Sequence, residues 1–268
     1  MSKVVLITGA SSGIGKSIGV FLSKKGFKVY GTARNPKNYP NHTEFPLLAL
    51  DVTDQNSIRL CVSELRELEG RIDVLVNNAG MGITGALEET PFDEIDRVMD
   101  TNFKGPMRVI NAVVPSMRSN NSGLIINITS VAGYMGLPYR GIYSATKSAF
   151  EMITEAYRME LKSFGIQMCA LAPGDFETNI AAGRFHTKVD EKSPYHPQYG
   201  DVLKQMDDHV KGGKDPIAVA YKVEKIINTK NPKVHYVVGS PLQKFSLILK
   251  KLLPSKTYER MLMNHYKI

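Results

Sequence analysis

The chain has 268 residues, 43% hydrophobic and 22% charged, with no long tract of one residue type; this excludes a disordered protein and leaves one domain with one sizeable core as the expectation. Lys and Arg number 34 against 26 Asp and Glu, a formal charge of +8 that favours anionic partners such as phosphorylated cofactors or acidic lipid surfaces; the charge is scattered, so no nucleic-acid partner is expected. Cys61 and Cys169 lie far apart in apolar stretches and make no disulfide framework, so they read as buried thiols of a cytoplasmic protein, and the apolar run after Met1-Ser2-Lys3 is too short for a signal peptide or a membrane span.

Short, β-branched apolar runs predict strands at residues 4–8, 28–33, 47–50, 74–77, 124–129, 167–172 and 234–238. Most are apolar on both faces, as parallel strands buried between helices should be. Between them, residues 15–25, 57–68, 91–117, 143–164 and 217–229 carry apolar side chains three and four apart, the stripe with which a helix packs on a sheet. The alternation predicts an α/β fold: one Rossmann-type, doubly wound parallel sheet of about seven strands flanked by helices. Residues 181–215, rich in Pro, Gly, His and charge and without a strong period, read as a lid within the domain spanning residues 1–240. Residues 241–268 read as a helical extension of the same domain. One stripe there is Leu242, Phe245, Ile248, Leu249, Leu252 and Leu253, opposite Lys244, Lys250 and Lys251, with Leu247 on the polar side; a second is Tyr258, Met261, Leu262 and His265.

The first strand runs into a helix through Thr8-Gly9-Ala10-Ser11-Ser12-Gly13-Ile14-Gly15. Glycine there lets the backbone turn tightly and approach a pyrophosphate, whose charge the helix N-terminus stabilises. Where NAD-selective folds place a carboxylate at the end of the second strand, this chain has Thr32-Ala33-Arg34-Asn35; Arg34 can offer a bidentate guanidinium to a 2′-phosphate, so the cofactor read here is NADP(H). Asn77-Asn78-Ala79-Gly80 follows the fourth strand. Its small residues permit close contact with an adenosine, while the two asparagines are equally accounted for by turn chemistry.

Tyr143 and Lys147, four apart in Tyr143-Ser144-Ala145-Thr146-Lys147, share one helix face. A cation held close stabilises a phenolate, so Lys147, with the positive nicotinamide of an oxidised cofactor, fits Tyr143 to work as a general acid and base. Ser130 ends the fifth strand, where its hydroxyl can bond a substrate oxygen on which charge develops. No metal ligands are assigned.

The Gly-x-x-x-Gly-x-Gly turn with its leading Thr, followed in order by the Asn, Ser, Tyr, Lys and Pro173-Gly174 elements, resembles the short-chain dehydrogenase/reductase family over roughly residues 3 to 240. The resemblance implies hydride transfer between the nicotinamide of NADP(H) and a hydroxyl or carbonyl carbon of a small molecule, by a homodimer or homotetramer. It implies that Asp51 and Val52 lie near the adenine and that Asn102 helps hold a water linking Lys147 to solvent. The kink expected before Gly105-Pro106 fits such a role. It also implies that Lys147 grips the nicotinamide ribose, and that Pro173-Gly174-Asp175-Phe176-Glu177-Thr178 holds the carboxamide, with Phe176 and Thr178 in contact; Phe176 stands where the family more often has a small aliphatic residue.

The extension loosely resembles hydroxysteroid and retinol dehydrogenases within that family. If Phe245, Leu249, Leu252 and Met261 line the crevice beyond the strand ends, a bulky hydrophobic substrate follows. Packing on a partner subunit and contact of a basic amphipathic helix with a membrane surface are the alternatives for residues 241–268. A catalytically idle NADP(H)-binding sensor or scaffold is the competing function, and a membrane-surface platform a further one.

Overall fold

Alternation along the first strand sets the layout of the interior. In β1 (Val4–Ile7) the side chains of Val5 and Ile7 enter one apolar cluster and those of Val4 and Leu6 another, and all four are buried. A strand with two apolar faces needs helices on both sides of its sheet. The computed structural model describes residues 2–176, 183–211 and 215–268, residues 207 and 209–211 by backbone alone. After β1 come α1 (Gly13–Lys24), β2 (Lys28–Ala33), β3 (Leu47–Ala49), α2 (Gln55–Glu69), β4 (Val74–Asn77), β5 (Ile83–Thr84) and α3 (Phe92–Met99). A π-helical turn (Asp100–Lys104) leads into α4 (Gly105–Ser119), then β6 (Gly123–Ile128), α5 (Gly141–Glu160) and β7 (Ile166–Pro173). The chain continues through β8 (Phe185–His186), α6 (Gln198–Lys211), α7 (Ile217–Ile227), β9 (His235–Val238), α8 (Pro241–Leu252) and α9 (Ser255–Tyr266).

Seven strands form one parallel sheet in the order β3-β2-β1-β4-β6-β7-β9. All seven coincide with predicted strands to within one residue at either end. The strand order reverses between β1 and β4, which opens a crevice at their C-terminal ends. Helices α1 and α7 bury Ile18, Leu22, Val223 and Ile226 against one face; α2 and α4 bury Ile58, Leu65, Ile110 and Val113 against the other.

Three regions depart from the sequence reading. The single long helix expected at residues 91–117 is two helices joined by the π turn, because Pro106 has no N–H for the carbonyl four residues back and the Gly105 N–H bonds the Asp100 carbonyl instead. Residues 181–215, read as lacking a strong period, hold β8, which pairs with β5 through Ile83↔Phe185 and Thr84↔His186, and the helix α6. Val202 and Met206 of α6 are buried against Tyr266.

The extension is turned the other way round from the crevice-lining expectation. Its apolar stripe faces outward, with Leu242, Phe245, Ile248 and Leu252 between 51% and 75% exposed and Met261 exposed on α9. What meets the body is the polar side of α8. The Gln243 amide donates to the Asp175 carboxylate at 2.7 Å, and Ser246 bonds the buried Tyr258 hydroxyl at 2.8 Å.

Cys61, in α2, and Cys169, in β7, are free and buried among apolar side chains, and burial pushes both thiols up to about 12. At pH 8 roughly one thiol in 10⁴ is then thiolate even before access is considered. Titration with an aromatic disulfide reagent should find both cysteines unreactive in the native protein and both reactive in denaturant. A cysteine in the native protein reacting as fast as free cysteine would contradict this packing.

Candidate active site

The turn from β1 to α1 is closed by close contacts. The Thr8 hydroxyl accepts the backbone N–H groups of Asn78 and Ala79, each at 3.0 Å. The Asn78 amide in return donates to the carbonyls of Thr8 and Gly9 at 3.0 and 2.9 Å. Gly9 has φ +65°, a conformation that disfavours any side chain, and at Gly15 a Cβ would fall 2.4 Å from the Gly9 carbonyl oxygen. Ser12, exposed, caps α1 with no side-chain bond, and the first turn holds no acidic residue. The N–H groups of Gly13, Ile14 and Gly15 therefore precede the first intrahelical bond, from the Lys16 N–H to the Ser12 carbonyl at 3.1 Å, and are donors for an anion. Half-buried Ser11 flanks them.

Four further sets of sequence-selected residues end at this edge of the sheet. Arg34 follows β2, exposed, with no hydrogen bond or ion pair among the described residues. Asp51 turns its Oδ1 to the Thr53 N–H and hydroxyl at 2.9 and 2.7 Å, and buried Val52 packs over Gly105. Ala79 and Gly80 follow Asn78 after β4. Pro173 ends β7, and the Gly174 N–H donates to the Val238 carbonyl at 2.8 Å. The Phe176 side chain is buried in the cluster beneath α1 and α7, and Thr178 lies outside the described residues.

Facing this edge, the first turns of α5 carry Tyr143 and Lys147, 8% and 5% exposed. The Lys147 ammonium lies 5.9 Å from the centre of the Tyr143 ring and donates to the Ile128 carbonyl at 3.1 Å. A second cation, the Arg140 guanidinium, stands 5.6 Å from the same ring. Ser130 follows β6; its Oγ accepts the Ala132 N–H at 3.2 Å, which leaves the hydroxyl hydrogen to donate elsewhere. Around Tyr143 are Ile83, Val98, Ala132, Leu137 and Phe185, an apolar wall to which β8 contributes.

Asn102, in the π turn, is 1% exposed and fully engaged by its side chain: Oδ1 accepts the Met81 N–H at 2.8 Å, and Nδ2 donates to the Met81 carbonyl at 2.8 Å and to Thr146 at 3.3 Å. Gly80 touches both groups, since a Cβ there would stand 3.2 Å from Asn102 Oδ1 and 3.6 Å from Lys147 Nζ. The structure thus gathers Gly80, Asn102 and Lys147 at one point. Ser130 lies two residues beyond the carbonyl that holds Lys147.

Sequence reading missed a cluster one turn further along α5. Glu151, 6% exposed, accepts from the Thr129 hydroxyl and lies 2.8 Å from His235 Nδ1; His235 Nε2 lies 3.1 Å from Glu155. Both ring nitrogens therefore face carboxyl oxygens. Nearby Tyr134 is pushed up by burial and by the two glutamates. The signal was the spacing of Tyr143, Lys147, Glu151 and Glu155, four apart on one helix face; His235 gave none. Gln243, also missed, ties α8 to Asp175 and stands over Gly174, where a Cβ would fall 2.0 Å from its Oε1.

Glu151→Ala removes the acceptor of a buried hydroxyl and of His235, and should lower the unfolding free energy by about 2 kcal/mol. Urea denaturation measures this, and an unchanged midpoint would show that the cluster contributes nothing to stability.

The chain matches the model of the family described as short chain dehydrogenase over residues 3–189. It is 39% identical to a 3-ketodihydrosphingosine reductase of Bacteroides thetaiotaomicron over 270 residues, which cover 99% of this chain and 98% of that protein. Among solved structures, it resembles a short-chain dehydrogenase from Streptomyces avermitilis with a TM-score of 0.82 and 30% identity, covering 100% of this chain and 96% of the other. It also resembles ElxO with NADP bound, with a TM-score of 0.71 and 29% identity over 88% of this chain and 96% of that one.

Proposed function

The chain belongs to the short-chain dehydrogenase family, and from that premise we propose that it interconverts a hydroxyl and a carbonyl group on an apolar organic molecule, with NADP(H) as redox partner and Tyr143 as general acid and base. The observation that carries this reading is the meeting, at one edge of the sheet, of an uncapped helix N-terminus behind a glycine turn with a buried Tyr143–Lys147 pair.

The residues fit the cofactor. Gly9, Ser11, Ser12, Gly13, Ile14 and Gly15 would cradle the pyrophosphate, with donors and no carboxylate in the first turn. Arg34, exposed and without a described partner, would bind the 2′-phosphate. Asp51, Val52, Asn78, Ala79 and Gly80 would line the adenosine, and Pro173, Gly174, Phe176 and Thr178 the carboxamide. When bound, the nicotinamide gives or takes the hydride. In reduction Tyr143 protonates the nascent alkoxide; in oxidation it removes the alcohol proton. Ser130 uses its free hydroxyl hydrogen to hold the reacting oxygen. Lys147, fixed by the Ile128 carbonyl, stabilises the Tyr143 phenolate and grips the nicotinamide ribose. Asn102 keeps the π turn against Lys147, where a water can pass protons to solvent.

An apolar substrate is supported by Met81, Leu137, Ile142 and Phe185, the half-buried apolar side chains of the cluster that holds Tyr143. The 39% identical relative, named for a 3-keto substrate, points the same way. A homodimer or homotetramer is supported by Met152 and Met159, exposed seven residues apart along one side of α5. For a cytoplasmic location the support is the pair of free, buried thiols. No helix among the described residues is long and apolar enough to cross a membrane.

Tyr143→Phe removes only the proton-transferring hydroxyl and should lower turnover at least ~10²-fold while NADPH affinity stays nearly constant. Steady-state rates on a reducible ketone with cofactor titration decide it, and wild-type turnover in the variant would overturn the role given to Tyr143. Arg34→Ala should weaken NADPH by ~10- to 100-fold and leave NADH almost unaffected, the loss of one charge-assisted contact. Equal weakening of both, by calorimetry or fluorescence, would remove Arg34 from the 2′-phosphate site.

A further inference from the structure

Helix α8 presents its apolar side to solvent and its polar side to the protein, the reverse of a helix that packs on a core. Leu242, Phe245, Ile248 and Leu252 form the outward stripe, 71%, 53%, 51% and 75% exposed. The inward side cannot be exchanged for it without breaking the Gln243–Asp175 and Ser246–Tyr258 bonds.

Charge says what covers the stripe. Helix α8 contains no acidic residue, and Lys244 and Lys251, seven apart, border the stripe along one side. Residues 241–268 carry Lys244, Lys250, Lys251, Lys256, Arg260 and Lys267 against Glu259 alone, so this tenth of the chain holds five of its eight net positive charges. An apolar stripe edged by cations is complementary to a surface with negative headgroups over hydrocarbon. A second copy of the chain suits it less, because a two-fold contact through α8 would set the same lysines against each other with no carboxylate on that helix to offset them.

We propose that α8 lies on an anionic lipid surface, its apolar stripe at the level of the acyl chains and Lys244 and Lys251 among the headgroups. The inference does not depend on the catalytic reading. If both hold, the Gln243 link brings the lipid surface next to the Gly174–Asp175 segment of the site, and an apolar substrate can pass between membrane and enzyme without crossing water.

The test is co-sedimentation of the full chain with vesicles of phosphatidylcholine containing roughly 30 mol % phosphatidylserine, and with phosphatidylcholine alone. The expected result is binding to the mixed vesicles at least about tenfold stronger than to the neutral ones, reduced by about 0.5 M salt. Lys244→Gln with Lys251→Gln should weaken binding by roughly fivefold per lysine, and Phe245→Ser with Leu252→Ser by about tenfold or more. Both pairs are exposed, so their melting temperatures should match that of the parent chain. Three results would each overturn the proposal: no binding to anionic vesicles, binding indifferent to both double substitutions, or size-exclusion profiles showing that Phe245→Ser with Leu252→Ser dissociates an oligomer without altering lipid binding. Because the readout is sedimentation, an inactive catalytic site would leave the outcome untouched.

Discussion

The hydroxyl of Thr8 holds the site together. One oxygen at the end of β1 accepts two N–H groups from the chain leaving β4, and the Asn78 side chain answers with two bonds to the carbonyls of β1's turn. Four short bonds thus fasten the two strands at the point where the strand order reverses. Opening that crevice would leave several backbone groups without partners, which a buried strand end does not tolerate. The glycine turn, the N-terminus of α1 and Gly80 take their places from this clamp, and through Gly80 it extends to Asn102 and Lys147.

Helix α5 is the second fixed element. Because Tyr143, Lys147, Glu151 and Glu155 recur every four residues, one face of the helix runs from the candidate reaction centre to the protein surface as an unbroken line of polar groups. Three of them are held by partners on or next to the neighbouring strands: Lys147 by the Ile128 carbonyl, Glu151 by Thr129 and His235, Glu155 by the same His235. Thr129 and Ser130 are consecutive, so the buried Glu151 that anchors Thr129 also steadies the residue proposed to hold the substrate oxygen. Burying Glu151 carries a desolvation cost, and the hydroxyl and imidazole around it supply the offset.

The C-terminal extension shows how a few polar contacts can override an amphipathic pattern. Gln243 satisfies three groups at once: the Ser240 N–H that starts α8, the Ser240 hydroxyl through its own backbone N–H, and the Asp175 carboxylate. The bond to Asp175 ties this side of the helix to the body, so the helix turns its leucines away. Stripe and site are consequently coupled through one side chain, and α9 closes the arrangement by burying Tyr258 and Tyr266 against α8, α6 and the loop at Met135.

The amino-acid sequence alone determined the seven strands, the helices α1, α2, α5 and α7, the glycine turn and the Tyr143–Lys147 pair, because each is written in neighbouring residues: β-branched runs apolar on both faces, a 3.6-residue period, or a fixed four-residue spacing. Tertiary structure alone decided which distant groups meet. His235 reaches Glu151 across 84 positions, Gln243 reaches Asp175 across 68, and β8 finds β5 across about a hundred, with no local pattern to announce any of them. It also decided which way α8 faces. A helical period marks a stripe of leucines, but the side that is buried depends on where the polar partners of the same helix stand, and here those partners are Asp175 on the body of the protein and Tyr258 on α9.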